Sequence, residues 1–261
     1  MNGTTLHWEL AGGGGSPVVL THGLGSELGF WAPVVDALAA HHRVLRWDLR
    51  GSGASAAPPG PYDPALFASD LAALLDHAGI ERAHLVGHSG GGVVTQRFAL
   101  DHPARVRSLV LVGTSSEVGE KASAAWTRLA DAVERHGFAS PAADRAPSAR
   151  GFAPAFAAAH PDVVRELGER MRRNDPAAYA ATARAFASYR FTAELRAVDA
   201  PALVVQGLDD ALTPPGGSVI LARALPRARL VMVPGAGHYL PVEMPALFAA
   251  AVVAFLAGRD L

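Results

Sequence analysis

A serine that attacks a carbonyl needs a base to take its proton, an acid to orient that base, and donors for the oxyanion that forms. The stretch Val86-Gly87-His88-Ser89-Gly90-Gly91-Gly92 offers the nucleophile. Residues 87–91 fit Gly-x-Ser-x-Gly, in which a serine on a sharp strand-to-helix turn takes a strained backbone and small neighbours let the chain pass close by. A phosphate-cradling loop is excluded, because no Lys-Ser/Thr pair follows to reach phosphate and metal. A dinucleotide fingerprint is excluded as well, because Gly87, Gly90, Gly91 and Gly92 do not have the G-x-G-x-x-G spacing.

The partners arrive in chain order serine, acid, histidine, each just after an apolar segment. Leu203-Val204-Val205 is followed by "QGLDDALTP", which offers Asp209 and Asp210. The segment from Leu230 to Val233 is followed by "PGAGHYLPVE", which puts His238 in a loop of small residues. Ser89 is therefore the expected nucleophile, and His238 the expected general base and then acid. Gly90 supplies the amide directly after the nucleophile, and one such oxyanion donor contributes about 3 kcal/mol. The other histidines, including the adjacent pair His41-His42, read as surface or core residues. None of them pairs at helical zinc spacing with a nearby glutamate, so neither a metal nor a cofactor is expected.

These residues need a scaffold, and the apolar pattern provides one. Val18 to Leu20, Val44 to Trp47, Ala83 to Val86, Leu109 to Val112, Leu203 to Val205 and Leu230 to Val233 are short and strand-like. Between them lie helical stretches, Trp31 to Ala40, Leu66 to Ala78, Val93 to Leu100 and Val219 to Leu225, with a buried helix expected from Ala246 to Gly258. That alternation predicts a parallel sheet of βαβ units. "AGGGGSP", residues 11–17, reads as a turn between an N-terminal antiparallel hairpin and the sheet. From 117 to 198 no strand is evident, only Ala- and Arg-rich helical segments separated by prolines at 141, 147, 154, 161 and 176. The expected organisation is a core of residues 1–116 and 199–261, with a helical lid at 117–198.

Composition narrows the class further. The 261 residues are 50% hydrophobic with a formal net charge of −1, without the basic excess of a nucleic-acid binder. The opening residues "MNGTTLHWEL" lack the layout of a signal peptide, the apolar run from Ala246 to Gly258 is too short to span a bilayer, and the chain has no cysteine, so neither thiolate catalysis nor disulfides are expected. A cytoplasmic protein without nucleic-acid or membrane partners is expected; the oligomeric state is left open.

"THGLGSELGFW", "WDLRGSGASAAP", "GHSGGG", "QGLDDALTP" and "GAGHYLPVE" together resemble the α/β-hydrolase fold superfamily over nearly the whole chain. The block from Val44 to Ile80 is similar to that of small lidded hydrolases such as 3-oxoadipate enol-lactonases and related carboxylesterases. The resemblance implies a mostly parallel sheet flanked by helices, with a helical lid inserted between strands. In the family pattern Gly-x-x-Asp-x-x-x-Pro, Gly207 and Pro214 align with Asp210 as the acid, leaving Asp209 as a loop residue; some relatives carry the acid earlier, here near Glu117. The resemblance points to Leu24 of "HGLG" as the second oxyanion amide, with His22 bracing that loop, and makes Asp48 and Arg50 a structural turn. Phe30 and Trp31 either wall the substrate pocket or pack in the core. The lid arginines at 128, 172, 173 and 190 read as a solvated face. Gly90 replaces the bulkier residue usual after the serine, leaving extra room beside the nucleophile.

The activity implied is hydrolysis of a small ester or lactone through an acyl-enzyme. Serine at this position points away from haloalkane dehalogenases and soluble epoxide hydrolases. Carbon–carbon bond hydrolysis of ring-cleavage products and cofactor-free perhydrolysis use the same groups and stay open, although "HGLGS" lacks the longer Gly-Pro-Gly form of the former. A ligand receptor on the same fold is the alternative from a different class.

Overall fold

The computed structural model describes residues 1–139 and 150–258. One seven-stranded sheet has the order β1-β3-β2-β4-β5-β6-β7. Its strands are β1 (Trp8–Ala11), β2 (Pro17–Thr21), β3 (Arg43–Trp47), β4 (Ala83–His88), β5 (Val106–Val112), β6 (Ala202–Gly207) and β7 (Ala228–Val233). Only β1 runs antiparallel, against β3; the other pairings are parallel.

A parallel sheet is buried on both faces, which explains its unbroken apolar strands. Leu85, Leu109 and Leu111 enter one core with Trp47, Phe67 and Phe98. Their strand neighbours Val86, Val110 and Val112 enter the other, with Trp31, Val34 and Phe248. Helix α1 (Ala32–Ala39) covers the second face, and α2 (Pro64–His77) and α3 (Gly90–Asp101) cover the first.

The N-terminal hairpin expected from the sequence does not form. β1 skips β2 and pairs with β3. Gly12 and Gly15, at φ +75° and +71°, carry the chain against the backbone carbonyls of His42 and His41, where a Cβ would collide. The glycine run is thus a bypass around the start of β3, within the sheet, and not a turn leading from a hairpin into it.

Chain direction diverges between β2 and β4. The helix after β2 leads outward to β3, while the helix after β4 leads the other way to β5. Open α/β sheets bind ligands in the crevice at the carboxyl ends of such strands. The "HGLG" loop and Ser89 border that crevice.

Between β5 and β6 the described chain is helical: α4 (Glu120–His136), α5 (Pro154–Ala159), α6 (Pro161–Arg172) and α7 (Pro176–Ala185). Pro154, Pro161 and Pro176 take the first helical position, where the missing N–H is not needed. Residues 140–149 of the expected lid, with the prolines at 141 and 147, lie outside the described residues. α4 packs on α7 through Ala130, Ala180 and Ala183, and one isolated antiparallel bridge, Glu117 to Arg190, ties the ends of the insertion together. The chain closes with α8 (Pro215–Ala224), the short α9 (Leu240–Glu243) and α10 (Pro245–Leu256), which lies against α1. No described helix is long and apolar enough to cross a membrane.

Candidate active site

Ser89 joins β4 to α3 at φ +53° and ψ −119°. A non-glycine residue held there costs about 1–3 kcal/mol and persists only where its surroundings fix it. Here the Ser89 N–H donates to the Val112 carbonyl at 2.9 Å, and the Ser89 carbonyl accepts from Gly92 N–H and Thr114 Oγ1, both at 2.9 Å. Gly91 lets α3 begin against β2, since a Cβ there would lie 2.5 Å from the His22 carbonyl oxygen and closer to that of Thr21.

His238 follows β7, and its buried Nδ1–H donates to Asp210 Oδ2 at 2.8 Å. That bond leaves the Nε2 lone pair free to accept a proton. Asp210 is itself held: Oδ1 accepts the amides of Leu212 and Thr213, each at 2.8 Å, and Oδ2 accepts Gln206 Nε2 at 3.2 Å. Asp209 is exposed and contributes only its backbone N–H, to the Ala236 carbonyl. Glu117 is exposed too, and accepts from Thr192 Oγ1. Gly113, after β5, packs beneath the pair; a Cβ there would sit 3.2 Å from His238 Nδ1 and 3.3 Å from Asp210 Oδ2. Loops after β4, β5, β6 and β7 thus converge on one place.

Among the described residues the amides of Leu24 and Gly90 donate to no protein acceptor. The loop that carries Leu24 is braced from below. His22 is buried, with Nδ1–H donating to the Gly23 carbonyl at 2.8 Å and Nε2 accepting Leu49 N–H at 3.1 Å. Burial holds its pKa below the ordinary histidine value, so the ring is neutral, as those two roles require. Asp48 accepts the amides of Leu28 at 2.6 Å and Ala54 at 2.9 Å, and Arg50 forks onto buried Asp70 with two 2.5 Å bonds. Both act within the scaffold, away from Ser89.

A cavity of about 280 Å³ opens beside Ser89, lined among others by Leu24, Gly90, Glu117, Phe186 and Tyr189. Trp31 is not part of its wall: it is fully buried, stacked on Phe248 in the core. Phe30 lies against the His88 ring at 4.5 Å and borders a separate narrow recess with Leu24 and Tyr239. The room expected beside Gly90 is filled, because the Phe186 ring occupies it. Among the described residues no group of three or more metal-ligating side chains could hold an ion.

The insertion touches three loops of the site, those after β2, β5 and β7. Asn174 Nδ2 donates to the Gly25 carbonyl at 3.1 Å, Tyr189 OH and Ser115 Oγ are 2.8 Å apart, and His238 N–H donates to the Gly151 carbonyl at 2.6 Å. Leu24 packs against both the sheet core and the insertion.

Three supporting residues escape a sequence reading. Glu243 accepts the amides of Gly237 at 2.9 Å, Ala153 at 3.0 Å and Tyr239 at 3.1 Å, clamping both sides of His238. Its signal is a lone acid in an otherwise apolar run. Gln206 is a buried amide ending a valine-rich strand. His88 donates from Nε2 to the His238 carbonyl at 2.9 Å, and burial lowers its pKa well below the ordinary value, so it acts as a neutral prop.

A serine at a strained strand-to-helix turn, a buried histidine–carboxylate pair and a mostly parallel sheet define a class. The chain belongs to the alpha/beta hydrolase fold family, whose sequence profile matches residues 16–245, and it is a hydrolase of that family. It is 33% identical over 259 residues to a protein named carbamate hydrolase RutD from Azorhizobium caulinodans, covering 98% of this chain and 96% of the relative. It is 30% identical over 239 residues to 3-oxoadipate enol-lactonase 2 of Acinetobacter baylyi, covering 92% and 88%. Among solved structures, an enol-lactonase from Burkholderia xenovorans superposes with a TM-score of 0.92 at 32% identity, covering 98% of each chain.

Proposed function

We propose that this hydrolase cleaves small esters or lactones with Ser89 as nucleophile. Ser89 Oγ attacks the carbonyl carbon while His238 Nε2 takes its proton. Asp210 keeps the imidazole in the Nδ1–H tautomer and offsets the charge of the imidazolium. The oxyanion lies between the amides of Leu24 and Gly90. His238 then protonates the departing oxygen, leaving an acyl group on Ser89. Water, deprotonated by His238, releases the acid and restores the serine. Residues 117–198 serve as a lid over this chemistry.

The observation that carries the reading is the anchored Asp210. With Oδ1 committed to two backbone amides, only Oδ2 faces the imidazole, and it orients His238. The relatives' names describe lactone and carbamate hydrolysis, and both use water to break a bond between a carbonyl carbon and its leaving group.

Acid release in a pH-stat tests this directly, with esters, lactones, enol-lactones and vinylogous diketones offered to wild type and Ser89→Ala. Serine-dependent release from esters or lactones is expected. Release from diketones alone would replace the reading with carbon–carbon hydrolysis, and no serine-dependent release would remove it.

A further inference from the structure

The space beside the nucleophile is closed by the insertion and not by the residue after the serine. A Cβ at Gly90 would lie 2.6 Å from Phe186 Cδ2 and closer still to Cε2, so a side chain there and the ring cannot coexist. Phe186 directly follows α7 and is 7% exposed. Its ring packs tilted on Phe67 with centroids 5.5 Å apart, and Phe67 is fully buried, which blocks retreat in that direction. The same ring lines the cavity with Ser89 and Val93. Packed interiors resist the addition of even one methylene, so the ring sets a firm boundary.

We propose that Phe186 is a specificity-determining residue that limits branching next to the reacting carbonyl, and that position 90 is glycine because this ring takes its side-chain space. The substrate class follows as esters or lactones with an unbranched carbon beside the carbonyl. The proposal rests on Ser89 being the nucleophile.

The test is kcat/KM for propionyl, isobutyryl and pivaloyl esters of one phenol, measured on wild type, Phe186→Ala, Phe186→Leu, Gly90→Ala and the double variant Gly90→Ala/Phe186→Leu. Wild type should prefer propionyl. The isobutyryl-to-propionyl ratio should rise about tenfold in Phe186→Ala and less in Phe186→Leu, since a methylene in such a pocket changes selection by roughly that factor or more. Gly90→Ala should lose about tenfold on propionyl, and adding Phe186→Leu should restore most of that loss. An unchanged ratio in Phe186→Leu, or a harmless Gly90→Ala with Phe186 in place, would overturn the proposal. The leucine variants decide between these outcomes even if Phe186→Ala does not fold. Wild-type turnover that survives Ser89→Ala would instead bring down the nucleophile assignment beneath it.

Discussion

Glu243 touches no reacting atom, yet its replacement should cripple the enzyme. One carboxylate accepts three amides, two of them flanking His238 and the third, Ala153, on the insertion. In Glu243→Gln the amide oxygen can replace Oε2 and keep Gly237 and Ala153, but the NH2 then faces the Tyr239 N–H, donor against donor. Each retained bond loses its charge assistance, about 1 kcal/mol apiece, and the stranded donor costs about 1–3 kcal/mol. Burial raises the Glu243 pKa above the ordinary carboxylate value, so relief of that desolvation returns part of the loss. The net is about 3 kcal/mol, or roughly 8 °C of melting temperature for a chain of this size. Because the strain falls on the loop that aims His238, kcat should drop about tenfold to a hundredfold while KM stays within about threefold. Thermal melts and steady-state kinetics on Glu243→Gln and Glu243→Asp read both effects, and aspartate should recover part of kcat. A Gln variant that melts lower but keeps full kcat would refute the positioning role; one that changes neither would refute the clamp.

Further outcomes follow from the same geometry. In Asp210→Asn the oxygen must stay on the Leu212 and Thr213 amides, which turns the NH2 toward His238 Nδ1 and forces the wrong tautomer. kcat should fall about 10³- to 10⁴-fold, whereas Asp209→Asn should change it less than about twofold, as steady-state assays would register. His84 bonds Ser108 and Ser16, and burial lowers its pKa to about 4. The folded state therefore binds fewer protons than the unfolded state between pH 4 and about 6.5. This contribution to stability is complete above about pH 6.5 and is lost as pH falls toward 4. Buried His22 and His88 act in the same sense, so urea midpoints at pH 7 and 4.5 should differ, and His84→Gln should shrink the difference without abolishing it. Glu117 is among the residues that line the cavity, and it adds a negative charge near its mouth. A carboxylate-bearing ester should react more slowly than a neutral one of equal length, and Glu117→Gln should narrow the gap in kcat/KM about fivefold, roughly 1 kcal/mol.

What could be read from the chain depended on how local the physical constraint was. The parallel sheet was legible because strands buried on both faces must be continuously apolar, as Val18 to Leu20 and Leu203 to Val205 are. The strained turn at Ser89 was legible because it demands small neighbours in fixed positions, and the family resemblance singled out Asp210, the carboxylate that bonds His238, over Asp209. Partners brought together by the fold were not. Nothing in "ARAFASYR" says that Phe186 will lie over Gly90, 96 positions earlier in the chain. The glycines at 12 and 15 signalled a turn but not which strand β1 would meet across it. Adjacent aromatics Phe30 and Trp31 pack edge to face in one core cluster, and only packing shows that Phe30 also borders a recess while Trp31 does not. Glu243 drew no attention because its three partners are backbone amides, which leave no mark on residue type.

The central claim is that Ser89 forms a covalent intermediate, and intact-mass spectrometry after treatment with a fluorophosphonate tests it most directly. One adduct per chain is expected, located on the peptide that carries Ser89, with activity lost in proportion to labelling. Ser89→Ala should take no label and release no acid, and His238→Gln should label far more slowly. Label on another residue, or turnover that continues in fully labelled or Ser89→Ala protein, would contradict it.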